Sequence, residues 1–227
     1  MLLRLFALPF YWFLERYVRL DKNHTFVAVI HGSAMTRNEL DEIYSFRNNC
    51  YRAGHGYLVP DSNTAKISEK SFDLNSFHAR VFDTQGSLVG VTRMLPYPFE
   101  MSALELPENL RLSQFKNYLE VSRLVCSKRG SGIGRRLILS AGLWSIRETT
   151  FDGFLAVCRK GNLGLFNKFG LSVVANFELM NRPGSQYCLI KADFRLITKC
   201  TLGYFSRKFN PVRQISYQLR LRFNKLN

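Results

Sequence analysis

The chain has 227 residues, 46% hydrophobic and 22% charged, a globular mixture long enough for one full core and short for two domains. Thirty-two Lys and Arg against 17 Asp and Glu leave a net charge of +15, more than solubility asks for and favourable to an anionic partner: acidic protein, anionic membrane, phosphorylated ligand or nucleic acid. Zinc-finger spacing and RNP-type aromatics are lacking, which disfavours nucleic acid, and the cysteines at 50, 126, 158, 188 and 200 form neither a metal-ligand pair nor a disulfide framework, which fits a reducing, cytoplasmic setting.

Residues 1–22 differ in character from the rest of the chain. Residues 5–14 (LFALPFYWFL) are an apolar run flanked by Arg4, Arg16 and Arg19. The run is too short to span a bilayer, and Glu15-Arg16-Tyr17-Val18-Arg19 comes next, where a signal peptide needs small residues. Two readings fit: an interfacial segment with Tyr11 and Trp12 at headgroup level, giving peripheral membrane contact, or an extra apolar helix packed on the domain. The 19 phenylalanines likewise fit either a Phe-rich core or a core with an apolar tunnel.

Residues 23–198 carry the main domain. Residues 24–31 (HTFVAVIH) are β-branched and aromatic and read as a strand. Thr36 followed by Glu39 is a capping box opening a helix over residues 37–51. Residues 77–82 and 88–95 flank Asp83-Thr84-Gln85-Gly86 as a hairpin. Residues 118–126 form another strand, followed by a glycine-rich turn and a helix over 133–147. A strand over 153–158, a short helix over 163–169 and strands over 171–176 and 187–192 complete the domain. The order β–α–β–β–β–loop–α–β–α–β–β describes an α/β fold with a mixed central sheet flanked by helices. Residues 199–227 are a basic extension without an acid, in which Pro211 opens a helix with Ile215, Leu219 and Phe223 on one face. It reads as a solvated basic helix or as a docking surface for an anionic partner.

The strongest motif is Arg129-Gly130-Ser131-Gly132-Ile133-Gly134-Arg135, between a strand and a helix. Glycines let backbone N–H groups converge on an anion, and the helix N-terminus adds positive potential. A Gly-Lys-Ser/Thr ending is lacking, which excludes a P-loop, and a dinucleotide fold would place the turn after the first strand. The motif therefore reads as a pyrophosphate or phosphopantetheine clamp.

Ahead of it, Glu120-Val121-Ser122-Arg123 interrupts an apolar strand. Alternation puts Glu120, Ser122 and Leu124 on one face and Val121, Arg123 and Val125 on the other. Arg93 interrupts the strand 89–96 in the same way, and Arg47 falls on the apolar face of the capped helix with Leu40, Ile43, Tyr44 and Tyr51. Such charges are either structural ion pairs or the lining of a cleft. Cys126 beside them is either a nucleophile or, lacking a partner His, a structural thiol.

Arg129-x-x-Gly132-x-Gly134 resembles the R/Q-x-x-G-x-G/A signature of the GNAT superfamily, and residues 162–170 resemble the helix that closes the ligand cleft there. Arg47, Tyr51 and Tyr57, then Asp73, the Arg93-Met94-Leu95-Pro96 strand and the Glu120-Val121-Ser122-Arg123 strand resemble the autoinducer-synthase-like branch of that superfamily over roughly residues 25–195. Where acyl-homoserine lactone synthases carry E-x-D-x-x-D, this chain has Ser68, Lys70 and Asp73, a departure towards the similar N-acyl amino acid synthases. The resemblance implies a GNAT-like single domain with an acyl-phosphopantetheine cosubstrate, as acyl carrier protein or CoA, no permanently bound cofactor, and an amine or amino acid acceptor. It implies Glu120 as general base and Ser122 beside it as the second catalytic candidate. Arg47, Tyr51, Tyr57, Asp73, Arg93 and Arg123 would then contact the acceptor, any of the arginines taking a carboxylate. Val125, Ser127, Arg129, Gly130, Ser131, Gly132, Ile133, Gly134 and Arg135 would hold the donor, with backbone N–H groups over 125–127 polarising the thioester. The charge of +15 then suits an acidic acyl carrier protein. Lactone synthesis, short-chain acetyl transfer and a non-enzymatic binding module are the competing readings.

Overall fold

The computed structural model describes residues 24–26, 29–54, 70–104, 106–107, 109–128, 132–167, 170–179, 184–194, 196–197 and 199–200. The N-terminal segment, Tyr57, Arg129, Gly130, Ser131 and the basic extension beyond residue 200 lie outside these.

Among the described residues eight strands form one sheet: β1 (His24–Phe26), β2 (Ile30–His31), β3 (Phe77–Asp83), β4 (Leu88–Leu95), β5 (Tyr118–Cys126), β6 (Gly153–Arg159), β7 (Ser172–Glu178) and β8 (Gln186–Asp193). The path runs β1-β3-β4-β5-β6-β8-β7, with β2 also on β3. Instead of one continuous strand over 24–31, two short segments pair with β3. Among the described strands only β5 and β6 run parallel, joined by a helical crossover as parallel neighbours require.

The helices are α1 (Arg37–Gly54), α2 (Ile133–Glu148) and α3 (Leu163–Asn167). α1 begins where the Thr36 and Glu39 side chains answer each other: Thr36 N donates to Glu39 Oε2 at 2.9 Å and Glu39 N to Thr36 Oγ1 at 3.3 Å. It runs to Gly54, three residues past the expected end. The β3–β4 turn closes on Asp83, whose Oδ1 accepts from Gln85 N and Ser87 N, both at 2.9 Å.

α1 and α2 cover opposite faces of the sheet. Val91 and Val125 pack with Ile43 and Tyr51 of α1. On the other side Gly90 lies under α2, where a Cβ would stand 2.6 Å from Ile133 Cγ2, and Leu137, Ile138, Leu139 and Leu143 fill the main core with Leu119, Phe154 and Ile190. Each such side chain contributes about 1.5–3 kcal/mol on burial. A second apolar cluster, with Phe99, Met101, Phe115, Leu155 and Leu189, anchors the loop between β4 and β5.

Two irregularities of β5 shape its centre. β5 and β6 pair only over Tyr118–Gly153, Leu119–Phe154 and Glu120–Leu155, all within described residues. Beyond Glu120 the two strands part, while β6 continues against β8 to Arg159. On its other edge β5 bulges: Val125 faces Val91 and Ser122 faces Arg93, so Arg123 and Leu124 together oppose Thr92. Arg123 takes φ +56°, the left-handed conformation of a bulged residue.

The bulge corrects the expected faces. Leu119, Val121, Leu124 and Cys126 all pack on the α2 core, whereas Val125 packs towards α1. Arg123 therefore shares a side with Ser122 rather than with Val121, and Leu124 moves to the opposite face. The extra residue resets the two-residue period.

Candidate active site

Glu120 holds the last paired position before β5 and β6 separate, so its carboxyl stands at the apex of the split. It is 4% exposed. Its Oε2 accepts from Met101 N at 3.2 Å, and the Glu100 N–H also faces it. Burial and the charge of Glu100 push its pKa up to about 7, against those N–H groups and Arg93, which pull it down.

Around it runs a chain of ion pairs drawn from five separate segments. Arg47 of α1 donates Nη1 to Asp73 Oδ1 at 3.0 Å and Nη2 to Asp73 Oδ2. Asp73, in the helical turn at residues 70–74, also accepts from Arg93 Nη1 of β4 at 3.1 Å. Arg93 gives its Nε to Ser122 Oγ at 3.2 Å and its Nη2 to Glu100 Oε2. Glu100, in the 3-10 turn Glu100–Ala103, takes Arg123 Nη2 on Oε1 at 2.7 Å. Burial pushes the pKa of Asp73 and Glu100 up, but Arg47 and Arg93 hold Asp73 below the usual carboxylate range, as Arg93 and Arg123 hold Glu100. Beneath the network His78 donates from Nε2 to the Asp73 carbonyl at 2.8 Å. Burial pushes it down to about 4 and keeps it neutral.

The expected site residues therefore divide. Arg47, Asp73, Arg93, Glu120, Ser122 and Arg123 converge on one cluster. Tyr51 is buried with Ile43 and Val91 on the same side of the sheet. The Arg47 and Arg93 side chains are 1% and 0% exposed and held by the carboxylates, whereas Arg123 is 22% exposed. Glu100 and His78 went unrecognised in the sequence. Glu100 belongs to no spacing motif, and its only signal was an acid two residues after Pro98 in an apolar stretch.

On the donor side, Gly132 caps α2 at φ +79°, with open space where a Cβ would stand. The first turn of α2 carries no acid and presents Arg135 and Arg136. The Ile133 side chain is buried in the main core. Ser127 N donates to the Val89 carbonyl at 3.0 Å. Since successive amides of a strand point to opposite edges, the Val125 amide also turns to β4 and the Cys126 amide turns to the opened β6 side. The expected N–H polariser within 125–127 thus narrows to Cys126. Its thiol is pushed up to about 11 by burial and the neighbouring Cys50, which removes its nucleophilic character at neutral pH.

A cavity of about 450 Å³ lies between the start of α1 and the turn at 70–74, walled by Met35, Leu40, Tyr44 and Leu74 with Asp73 among its lining. Asp41 and Lys70, 3.5 Å apart, also line it. Among the described residues no helix is long and apolar enough to cross a membrane.

No family model and no curated protein matches the sequence. Solved structures do match. An acyl-CoA N-acyltransferase from Pseudomonas aeruginosa superposes with TM-score 0.52 at 12% identity, over 74% of this chain and 98% of its own. The spermidine N-acetyltransferase from Vibrio cholerae, in complex with CoA and spermine, gives 0.52 at 16% identity over 78% and 99%. A GNAT-family acetyltransferase from Streptococcus pneumoniae gives 0.50 at 12% identity over 75% and 98%. Across about three-quarters of its length, then, this chain has the GNAT fold.

Proposed function

We propose that the protein is an N-acyltransferase that moves a long-chain acyl group from an acyl carrier protein or CoA thioester to the amine of an amino acid or related small molecule. The observation that carries this reading is Glu120: a buried carboxyl, on the last paired residue before β5 and β6 separate, whose pKa burial and the charge of Glu100 push up to about 7. A base poised near the working pH is what an amine nucleophile needs, because it attacks only when neutral. The fold points the same way, since solved neighbours include an acyl-CoA N-acyltransferase and an acetyltransferase bound to CoA and spermine.

The split between β5 and β6 suits a pantetheine arm, whose amides would meet strand edges left unpaired. Its phosphates would fall at the Gly132-capped start of α2, where the helix N-terminus, Arg135 and Arg136 favour an anion. The thioester carbonyl oxygen would take the Cys126 N–H as charge develops. The acceptor nitrogen forms a bond to the carbonyl carbon and passes a proton to Glu120, and the collapsing intermediate breaks the C–S bond. That proton then leaves with the thiol. No covalent enzyme intermediate is needed.

Of the three arginines left open by the sequence, Arg123 suits an acceptor carboxylate best, being the partly exposed one. Arg47 and Arg93 act as its buried foundation. Lys70 beside the cavity, where the lactone synthases carry an acid, disfavours a sulfonium substrate.

The test is mass spectrometry of lipid extracts from a host expressing the protein, followed by assay of purified enzyme with acyl-carrier protein, acyl-CoA and acetyl-CoA. Fatty amides of a particular amino acid are expected. Turnover of acetyl-CoA with no long-chain product would overturn the long-chain reading, and equal use of acyl-CoA would remove the carrier from it. Methylthioadenosine release from S-adenosylmethionine would establish lactone synthesis instead.

A further inference from the structure

A base surrounded by three arginines faces a specific hazard. A guanidinium that reached Glu120 would lock it as a permanent carboxylate in an ion pair, useful for stability and useless for taking a proton. Each nitrogen of Arg93 has a partner away from Glu120: Nε donates to Ser122, Nη1 to Asp73 and Nη2 to Glu100. Glu100 also binds Arg123 Nη2 at 2.7 Å. One carboxylate thus bridges Arg93 and Arg123.

The position of Glu100 is built rather than incidental. Its neighbours Phe99 and Met101 are 2% and 1% exposed and sunk in the cluster with Phe115, Leu155 and Leu189. This anchors the 3-10 turn, which directs the Glu100 side chain to the arginines and the backbone N–H groups of Glu100 and Met101 to Glu120. The same turn therefore grips the base by its backbone and the arginines by its side chain.

We propose that Glu100 is a positioning residue: it keeps Arg93 and Arg123 off Glu120, so that Glu120 remains a base instead of becoming an ion-pair partner. The proposal rests on the assignment of Glu120 as base, but it concerns Glu120 itself and is readable without substrate. The charged groups around Glu120 are Glu100 of the turn and Arg93 of β4. Behind them stand Arg123 of β5, Asp73 of the turn at 70–74, Arg47 of α1 and the neutral His78 of β3.

The experiment is carbon-13 NMR of protein labelled at the glutamate side-chain carboxyl, the Glu120 signal being assigned by its loss in Glu120→Gln. The wild-type signal should titrate near pH 7. In Glu100→Gln, which keeps shape and drops the charge, the midpoint should fall by about one unit or more, because the Glu100 charge that raises it is gone and a guanidinium released from Glu100 can turn to Glu120. Glu100→Asp, which keeps the charge, should return it most of the way. An unmoved midpoint in folded Glu100→Gln overturns the proposal, and so does a Glu100→Asp midpoint as low as that of Glu100→Gln. The pH profile of turnover separates this from the functional reading. If the NMR midpoint falls in Glu100→Gln but the rate profile does not follow, Glu100 positions Glu120 while Glu120 is not the base.

Discussion

At the scale of single residues, the site is a contrast between carboxyls that differ only in their surroundings. Asp73 and Glu100 are held ionised by arginines; Glu120, buried and beside the charge of Glu100, is raised to about 7 against the pull of its N–H partners. Replacing Glu120 by Gln should lower turnover by about 10²-fold or more while the protein stays folded, as measured in a steady-state acyl-transfer assay. Because the base acts only when deprotonated, the wild-type rate should climb as pH rises through about 7, and that limb should vanish in the variant. Stability moves in the opposite sense. A carboxyl raised from 4.5 to about 7 holds a proton in the folded state that the unfolded chain has lost, so its contribution falls as pH rises across that window. Denaturation midpoints of Glu120→Gln and wild type should therefore diverge in favour of the variant between pH 5 and pH 8. Arg93 tests the buried foundation: Arg93→Ala takes from Asp73 and Glu100 the guanidinium that joins them, leaving each with one arginine, and should cost about 3–5 kcal/mol by denaturant titration. Arg123→Ala, at the exposed end, should raise the acceptor KM with a smaller loss of stability.

At the scale of elements, the site depends on the approach of the turn at 70–74 to the segment before α1. Gly32 N donates to the Ser76 carbonyl at 2.7 Å, and a Cβ on Gly32 would lie 2.0 Å from the Asp73 carbonyl oxygen, a backbone atom that cannot swing aside. Gly32→Ala should push back the turn that delivers Asp73 to Arg47 and Arg93, destabilising the fold by about 1–3 kcal/mol and reducing activity with it. Gly161→Ala, where nothing lies within 4 Å of the added carbon, should stay within about 0.5 kcal/mol in the same thermal-melt comparison. The β5 bulge is the second device. One extra residue places Ser122 and Arg123 on the same side, so that a single strand supplies Glu120, Ser122 and Arg123 to one cluster while Leu119, Val121, Leu124 and Cys126 still fill the core under α2.

At the scale of the whole molecule, charge gathers where the donor would enter. The C-terminal ends of parallel β5 and β6 and the start of α2 lie together, and they carry Lys128, Arg135, Arg136, Arg159 and Lys160. Residues 126–136 and 158–168 contain no acid. For an acidic carrier protein such a rim would speed and tighten docking, and surface attraction of this kind is screened over a Debye length of about 8 Å at physiological salt. The KM for acyl-carrier protein should therefore rise steeply with ionic strength in initial-rate assays. A flat response would argue against a charge-guided carrier. The opposite sign of pH dependence governs the ion-pair network. Asp73 and Glu100 have lowered pKa values, so the stability they contribute is present above their unfolded values and is lost as pH falls through the folded ones.

What the chain declares about itself is mostly local. The Thr36–Glu39 capping box, the Asp83 turn and the switch from apolar strand to glycine turn to helix near residue 132 each depend on neighbours a few residues apart. The element order and the mixed sheet were legible for that reason, and Arg47, Arg93 and Glu120 stood out as charges within apolar faces of a helix and two strands. The tertiary structure decided the rest, because burial and register join residues distant in sequence. A bulge opposite Thr92 turned Arg123 to the cluster. Val89 claimed the Ser127 amide and left Cys126 facing the split. Glu100, 20 residues before Glu120 and marked by no motif, set the field around it. Composition raised the expectation of an anionic partner and spacing that of a phosphate loop, but whether a glutamate in a strand is a base depends on water exclusion and nearby charge, which only the packed fold supplies.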